Sequence, residues 1–132
     1  MKHKAFTLTE IMLVMIVIAL MAAWGLPQYG RTIARARARN ALNNLVMIHA
    51  ANLLYQARHG GSNCPCANIT AINDMNGTDS LNIVAGGVTY ACNGADCTGV
   101  VNGSFTATVN LNSPISDTNP SCANDGTAKI CP

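Results

Sequence analysis

The pattern of apolar and polar positions divides the chain into three segments. After a short basic start, residues 11–26 form an unbroken apolar run, which approaches the length of about 20 residues that spans a bilayer as a helix. From residue 30 to residue 59, apolar residues recur at helical spacing, which predicts an amphipathic helix. Beyond residue 60, short stretches of alternating apolar and polar positions predict strands.

The first two segments are predicted to form one long helix from residue 6 to about residue 58. Alanine, leucine, methionine and arginine, all good helix formers, dominate this part of the chain. Pro27 removes one backbone hydrogen bond, so we expect a kink or local melting near Gly25 to Pro27. A pair of glycines after His59 is expected to end the helix.

The third segment is predicted to form a small β head. Residues 81–85 and 88–91 flank a Gly-Gly pair, and residues 99–101 and 104–111 flank an Asn-Gly pair, so each set is expected to form a hairpin. Residues 105–111 alternate apolar and polar side chains, which predicts one buried face. A short helical stretch is expected around residues 67–75. Residues 112–132 lack periodicity and are predicted to form a loop.

Charge is unevenly distributed along the chain, although the formal net charge is only +2. The arginines lie in the helical part and the aspartates follow it: Arg31, Arg35, Arg37, Arg39 and Arg58, then Asp74, Asp79, Asp96, Asp117 and Asp125. This asymmetry favours attraction between the head of one copy and the stem of another, although salt screens exposed pairs beyond about 8 Å. The alternative is that both sets are solvated and bind no specific partner.

All six cysteines lie beyond the apolar run, which favours an oxidising compartment. They are Cys64, Cys66, Cys92, Cys97, Cys122 and Cys131. Cys92 and Cys97 flank a turn-rich tetrapeptide, so a local disulfide between them is plausible on spacing. Cys64 and Cys66 are separated by one proline, and we expect each to join the end of the stem to the head. No Cys-x-x-Cys pair of zinc type is present, so no metal site or cofactor is expected.

The N-terminal residues Phe6-Thr-Leu-Thr-Glu10, followed by the apolar run and by Pro27-Gln-Tyr29, resemble the start of a type IV pilin or a related pseudopilin. The resemblance covers about the first quarter of the chain. In that family a membrane peptidase cuts before the phenylalanine and methylates the new amino terminus, which here places the cut between Ala5 and Phe6. Ala5 stands where the family usually has glycine.

The resemblance implies an α+β pilin fold, with a long N-terminal helix packed on a small antiparallel sheet. Its parts would be a leader (residues 1–5), a hydrophobic transmembrane and assembly helix (6–29), an amphipathic stem (30–59) and a globular head (60–132). It also implies a C-terminal loop closed by a disulfide between Cys122 and Cys131. The chain would cross the inner membrane once, with its N-terminus cytoplasmic and its head periplasmic, before joining an extracellular pilus.

Glu10 is the candidate assembly residue, because a carboxylate beside a membrane-length apolar run is retained only where it has a partner or a function. The resemblance implies that Glu10 meets the terminal amine of Phe6 in a neighbouring copy, and it places Pro27 in the assembly helix. The expected partners are further copies in a helical filament, the prepilin peptidase, the inner membrane and the pilus assembly machinery.

Several alternatives stay open. Within the family, the chain could be a type II secretion pseudopilin, or a minor or competence pilin. From another class, it could be a membrane-anchored extracytoplasmic binding domain that never polymerises. The stripe formed by Arg31, Arg35 and Arg39 could contact DNA phosphates, but no aromatic residues interleave it, and a solvated or subunit-facing surface is favoured. No catalytic constellation is present in the sequence, and an enzyme is not expected.

Overall fold

A computed structural model describes residues 7–77, 81–125 and 130–131; the side chains of residues 24–28 lie outside the description. The chain forms two compact units, the first ending at Ile33 and the second beginning at Ala34. The elements are α1 (Leu8–Arg58), α2 (Ile69–Asn73), β1 (Thr89–Cys92), β2 (Asp96–Val101), β3 (Phe105–Asn110) and β4 (Ser121–Asn124). A long N-terminal helix followed by a four-stranded antiparallel sheet confirms the predicted α+β, pilin-like fold.

Helix α1 is 51 residues long and ends where its sequence predicts. Gly60 and Gly61 adopt φ values of 66° and 88°, and the Gly61 amide donates to the Gln56 carbonyl over 2.8 Å, which closes the last turn. We expected a kink or local melting near Gly25 to Pro27; the helical backbone continues through residues 24–28, so local melting is wrong, and the kink stays a prediction. Proline costs one hydrogen bond, and the many remaining bonds of a helix this long keep it helical.

In the second unit, α1 buries one narrow face. Its fully or nearly fully buried side chains recur every three or four residues, which places them on one side of the helix: Ala38, Ala41, Leu45, Ile48 and Ala51. They share a core with Phe105 and Val109 of β3 and with Ile72 of α2. The stem is therefore held to the sheet by an apolar stripe that combines three alanines with the larger side chains of Leu45 and Ile48.

The sheet is a simple antiparallel meander in the order β1-β2-β3-β4. In β3 the side chains of Phe105, Ala107 and Val109 are buried, whereas the intervening positions are partly exposed, as the alternation in the sequence predicts. The hairpin around the Asn-Gly pair is also confirmed: β2 and β3 pair on either side of residues 102–104, with Val101 opposite Phe105.

The hairpin predicted around the Gly-Gly pair is wrong, because residues 81–85 do not form a strand. Their backbone is bonded elsewhere: the Asn73 side chain accepts from the Ile83 amide and donates to its carbonyl, and the Leu81 amide donates to the Asn73 carbonyl. Strand β1 pairs instead with β2, and the connecting turn is residues 93–95. The segment 81–85 therefore folds against the end of α2.

Strand β4 lies in the segment that was predicted to be a loop. Residues 121–124 pair with β3, so that Cys122 lies opposite Ala107 at the edge of the sheet. Three of its four side chains are exposed and the fourth is half-buried, so the strand lacks the alternation of buried and exposed side chains that predicts a strand. The prediction failed because pairing with β3, and not a buried face, defines this strand.

The side chain of Asn63, just beyond α1, is the centre of an amide network. Its carbonyl oxygen accepts from the Asn52 side chain over 2.7 Å and from the Gln56 side chain. Its amide donates to the Gly94 carbonyl over 2.8 Å and to the Asn112 side chain over 2.9 Å. One side chain thus connects α1, the β1–β2 turn and the segment after β3.

We predict that Asn63→Ala destabilises the second unit by about 2 kcal/mol or more, because it leaves the Asn52 amide, only 1% exposed, without its acceptor. The Tm of the full-length protein in detergent, measured by scanning calorimetry, should fall by roughly 10 °C. Asn43→Ala is the matched control, since Asn43 is exposed on α1. Equal Tm values for the two variants would show that the network does not contribute to stability.

Candidate functional site

The first turn of α1 is closed by reciprocal hydrogen bonds between Thr7 and Glu10. The Thr7 amide donates to Glu10 Oε2 over 3.0 Å, and the Thr7 hydroxyl donates to the same oxygen over 2.9 Å. The Glu10 amide in turn lies 3.4 Å from Thr7 Oγ1. This arrangement is a capping box, which satisfies amides that have no acceptor within the helix.

The sequence carries a signal for this cap that the sequence interpretation missed. Thr7-Leu-Thr-Glu10 matches the Ser/Thr-x-x-Glu pattern of a capping box, but Glu10 was interpreted only as an assembly residue. Both bonds from Thr7 end on Oε2, and no described residue bonds to Oε1. Glu10 can therefore cap its own helix and still offer one carboxylate oxygen to a partner. Ala5 and Phe6 lie outside the described residues, as does the side chain of Pro27.

The described part of the first unit exposes its large apolar side chains. Between Leu8 and Met21 their exposed fractions range from 43% at Val17 to 77% at Leu8. Over the residues that the structure describes, no helix has the length and hydropathy of a membrane span. A helix with apolar side chains on every face requires apolar surroundings to be stable.

The predicted basic stripe lies on the surface of α1. Arg31 belongs to the first unit and Arg35 and Arg39 to the second, and all three are exposed. That this stripe faces solvent or other subunits, and not DNA, stays a prediction.

All six cysteines form disulfides, and each bond is local in sequence. The Cys122–Cys131 bond closes the C-terminal loop, which confirms that part of the predicted fold. The structure also pairs Cys92 with Cys97, which are opposite one another at the turn between β1 and β2. The sheet is thus tied at one turn and at its β4 edge.

The expectation that Cys64 and Cys66 each join the stem to the head is wrong, because the two are bonded to each other. Their Cα atoms lie 5.3 Å apart, within the range that a disulfide spans, although only Pro65 separates them. The segment reaches its neighbours by backbone hydrogen bonds instead. The Cys64 amide donates to the Asn52 side chain, and the Cys92 amide donates to the Cys66 carbonyl.

A cavity of about 370 Å³ with a mixed polar and apolar lining lies in the second unit between α1 and the segment that precedes β1. Arg37, Asn40 and Asn44 line it from successive turns of α1, opposite Val84 and Tyr90. The Asn44 side chain donates to the Tyr90 hydroxyl over 2.8 Å. Burial raises the pKa of Tyr90 above its ordinary value, and the hydrogen bond from Asn44 offsets part of that rise.

The sequence interpretation did not identify this cavity. The spacing of Arg37, Asn40 and Asn44 places three polar side chains on one face of the predicted helix, which is the signal that was available. What faces them depends on the course of residues 81–88, which were predicted as part of a hairpin. Within the described ranges, no three His, Cys, Asp or Glu side chains are close enough together to hold a metal ion.

Comparison with known protein families identifies the N-terminal segment. Residues 1–26 match the model of the prokaryotic N-terminal methylation motif, which is typical of type IV pilins and pseudopilins. The match includes Glu10 and most of the exposed apolar surface of the first unit. No curated protein and no solved structure shows significant similarity to the chain. The motif supports a pilin or a pseudopilin without distinguishing the two.

We predict that Tyr90 makes the second unit less stable at high pH. Its phenol ionises at a higher pH in the folded than in the unfolded protein, so its contribution to stability is complete below about pH 10 and is lost as pH rises further. Tyr90→Phe should therefore flatten the decline in Tm measured by calorimetry between about pH 8.5 and pH 11.

The control for this prediction is Tyr29→Phe, which changes an exposed tyrosine of the first unit. Only the slope of Tm against pH is compared, because Tyr90→Phe also removes the hydrogen bond from Asn44. If both variants keep the slope of the unmodified protein, ionisation of Tyr90 does not limit stability.

Proposed function

We propose that this chain is a structural subunit of a type IV pilus. The observation that carries the proposal is the methylation motif at residues 1–26, joined to a helix whose large apolar side chains are exposed from Leu8 to Met21. The motif implies processing by a prepilin peptidase, here between Ala5 and Phe6. The mature subunit would be held in the inner membrane and then added to a helical filament that serves adhesion, motility or DNA uptake.

In this proposal the function depends on packing and not on catalysis. The apolar helix moves from lipid into a bundle of helices from neighbouring copies, so its side chains stay in apolar surroundings throughout. The carboxylate of Glu10 is expensive to bury alone, and pairing with the Phe6 amine of another copy would offset that cost. Since such a pair forms at only one axial offset, it would also fix the register between subunits.

A type II secretion pseudopilin is the alternative that the motif supports equally. Such a subunit would form a short periplasmic filament from the same helix. We favour the pilus because the chain has six cysteines and because the loop closed by Cys122 and Cys131 resembles the C-terminal disulfide loop of many pilins. The measurements below also distinguish the two remaining alternatives. These are a minor or competence pilin and an anchored binding domain that never polymerises.

Mass spectrometry of filaments sheared from the native cell surface tests the proposal. We expect this chain to be their dominant component, to begin at methylated Phe6 and to contain no free thiols. A processed chain found only in the envelope would indicate the pseudopilin. A chain that still begins at Met1 would indicate a plain membrane anchor and would refute the proposal.

A second prediction separates the charge of Glu10 from its capping role. Glu10→Gln keeps a side-chain acceptor for the Thr7 amide but removes the charge, because glutamine also serves in capping boxes. We expect it to lower the yield of sheared filaments at least tenfold, since the amine of the neighbouring copy loses its counter-ion. The yield is measured by immunoblotting the sheared and envelope fractions.

Thr7→Ala is the matched control, because it removes the hydroxyl bonds of the cap and keeps the charge. Losing a cap costs about 1 kcal/mol at one end of a 51-residue helix, so this variant should still assemble. If Thr7→Ala abolished filaments while Glu10→Gln left them abundant, Glu10 would act through its cap and not through its charge.

A further inference from the structure

Arg37 lines the cavity between α1 and the segment that precedes β1, and its guanidinium has no acidic partner among the described residues. It is close to the backbone of Gly87, where an added Cβ would lie 3.7 Å from the guanidinium carbon. Gly87 has a φ of 82° and no side chain, so the turn leaves this space open. A charged group that has five N–H donors therefore lines a half-open cavity.

The chemistry of the cavity fits a carboxylate. Asn40 and Asn44 bring further amide donors, and the Tyr90 hydroxyl, which accepts a hydrogen bond from Asn44, keeps its own proton to donate. Val84 lies beside these groups and is 73% exposed, which provides an apolar contact at the cavity. The site therefore suits a carboxylate that is carried close to an aliphatic group.

The same chain presents such a pair of groups at Asp117 and Ile115. Asp117 is exposed, and Ile115, two residues earlier, is 42% exposed. The other described aspartates beyond α1 are less available. Asp125 accepts hydrogen bonds from the Thr106 hydroxyl, and Asp74 already interacts with another group of the chain. Asp96 is half-buried.

The loop that carries Asp117 is braced by hydrogen bonds within residues 110–119. The amide of the Asn119 side chain donates to the carbonyls of Ser113 over 3.0 Å and Pro114 over 3.1 Å, and its oxygen accepts from the Asn110 amide over 2.8 Å. The Ser116 amide also donates to the Asn119 carbonyl over 2.9 Å. A loop ordered in advance loses little conformational entropy when it binds.

Within one copy, the loop and the cavity lie at different levels along α1. The His49 ring nitrogen Nε2 is 3.0 Å from the Ser113 carbonyl, so the loop starts beside His49. Arg37 is about 18 Å earlier along the helix at 1.5 Å per residue, and no loop residue lines its cavity. The loop of one copy can therefore meet the cavity of another copy only if the second copy is displaced along the helix direction.

We propose that the Ser113–Thr118 loop of one copy docks at the Arg37 cavity of the next copy, with Asp117 bound to Arg37 and Ile115 packed on Val84. The contact joins two different patches, so it is heterologous and can propagate as an open helical array. The inference rests on the proposed function, which places copies side by side, and adds a specific contact between their heads. It also gives the uneven charge distribution a structural role.

Site-specific photo-crosslinking in the full-length protein, expressed in its native cell, tests this contact. Ile115 is replaced by the photoreactive residue p-benzoylphenylalanine, and irradiated dimers are mapped by mass spectrometry. We expect a crosslink to residues 81–90 of a second copy. Arg37→Glu should lower the dimer yield about tenfold, because it places like charges together, and so should Asp117→Arg. The double variant Arg37→Glu, Asp117→Arg should restore the yield.

Arg39→Glu is the matched control, since it makes the same charge change on an exposed residue of α1 that does not line the cavity. The proposal is overturned if no dimer forms, if the crosslink leads only to another protein, or if Arg37→Glu has no larger effect than Arg39→Glu. It is equally overturned if Asp117→Arg changes nothing, because the cavity would then bind a different carboxylate.

The proposed contact and the proposed function can be refuted independently of each other. Filaments that contain methylated Phe6 but give no crosslink from residue 115 would refute the contact and leave the pilus subunit intact. A charge-sensitive dimer from cells in which the chain keeps Met1 and forms no filaments would support the contact and refute the pilus.

Discussion

The second unit depends on the burial of one narrow stripe of α1 against the sheet. Ala38 and Ala41 have no exposed surface, and their small side chains allow close approach, while Leu45 and Ile48 add larger side chains to the core that also contains Phe105. The stripe leaves another face of the helix exposed, including Arg37, Asn40 and Asn43. The polar face that carries Arg37 and the amides beside it can therefore line a cavity without weakening the core.

The two units differ in where their apolar side chains lie. The second has a core of its own, three local disulfides and the amide network around Asn63, so most of its stabilising contacts lie within one chain. The described part of the first unit has exposed apolar side chains and must find its partners elsewhere. If the chain is a pilus subunit, this division lets the first unit exchange lipid for neighbouring helices while the head keeps its structure.

Features that depend on local physics could be predicted from the sequence. These include the glycine stop after His59, the β2–β3 hairpin and the alternation in β3 that begins at Phe105. Features that depend on a distant partner could not. Residues 81–85 have the sequence pattern of a strand, but the Asn73 side chain binds their backbone instead. Residues 121–124 form a strand only because they pair with β3. The cavity at Arg37 follows from the same unpredicted segment, whereas the cap between Thr7 and Glu10 was visible in the sequence and overlooked.

The electrostatic contacts proposed between copies differ in strength because their surroundings differ. An exposed pair such as Asp117 and Arg37 contributes about 0.2 to 1 kcal/mol and is weakened by salt, so alone it would not hold a filament together. A pair between Glu10 and a terminal amine would lie among apolar side chains, where an unmatched charge is far more costly. Apolar packing would then supply the affinity, Glu10 the axial register, and the loop at Asp117 the choice of which head face meets its neighbour. Because these three roles rest on different residues, the contact between heads can change in sequence while the helical core of the assembly stays the same.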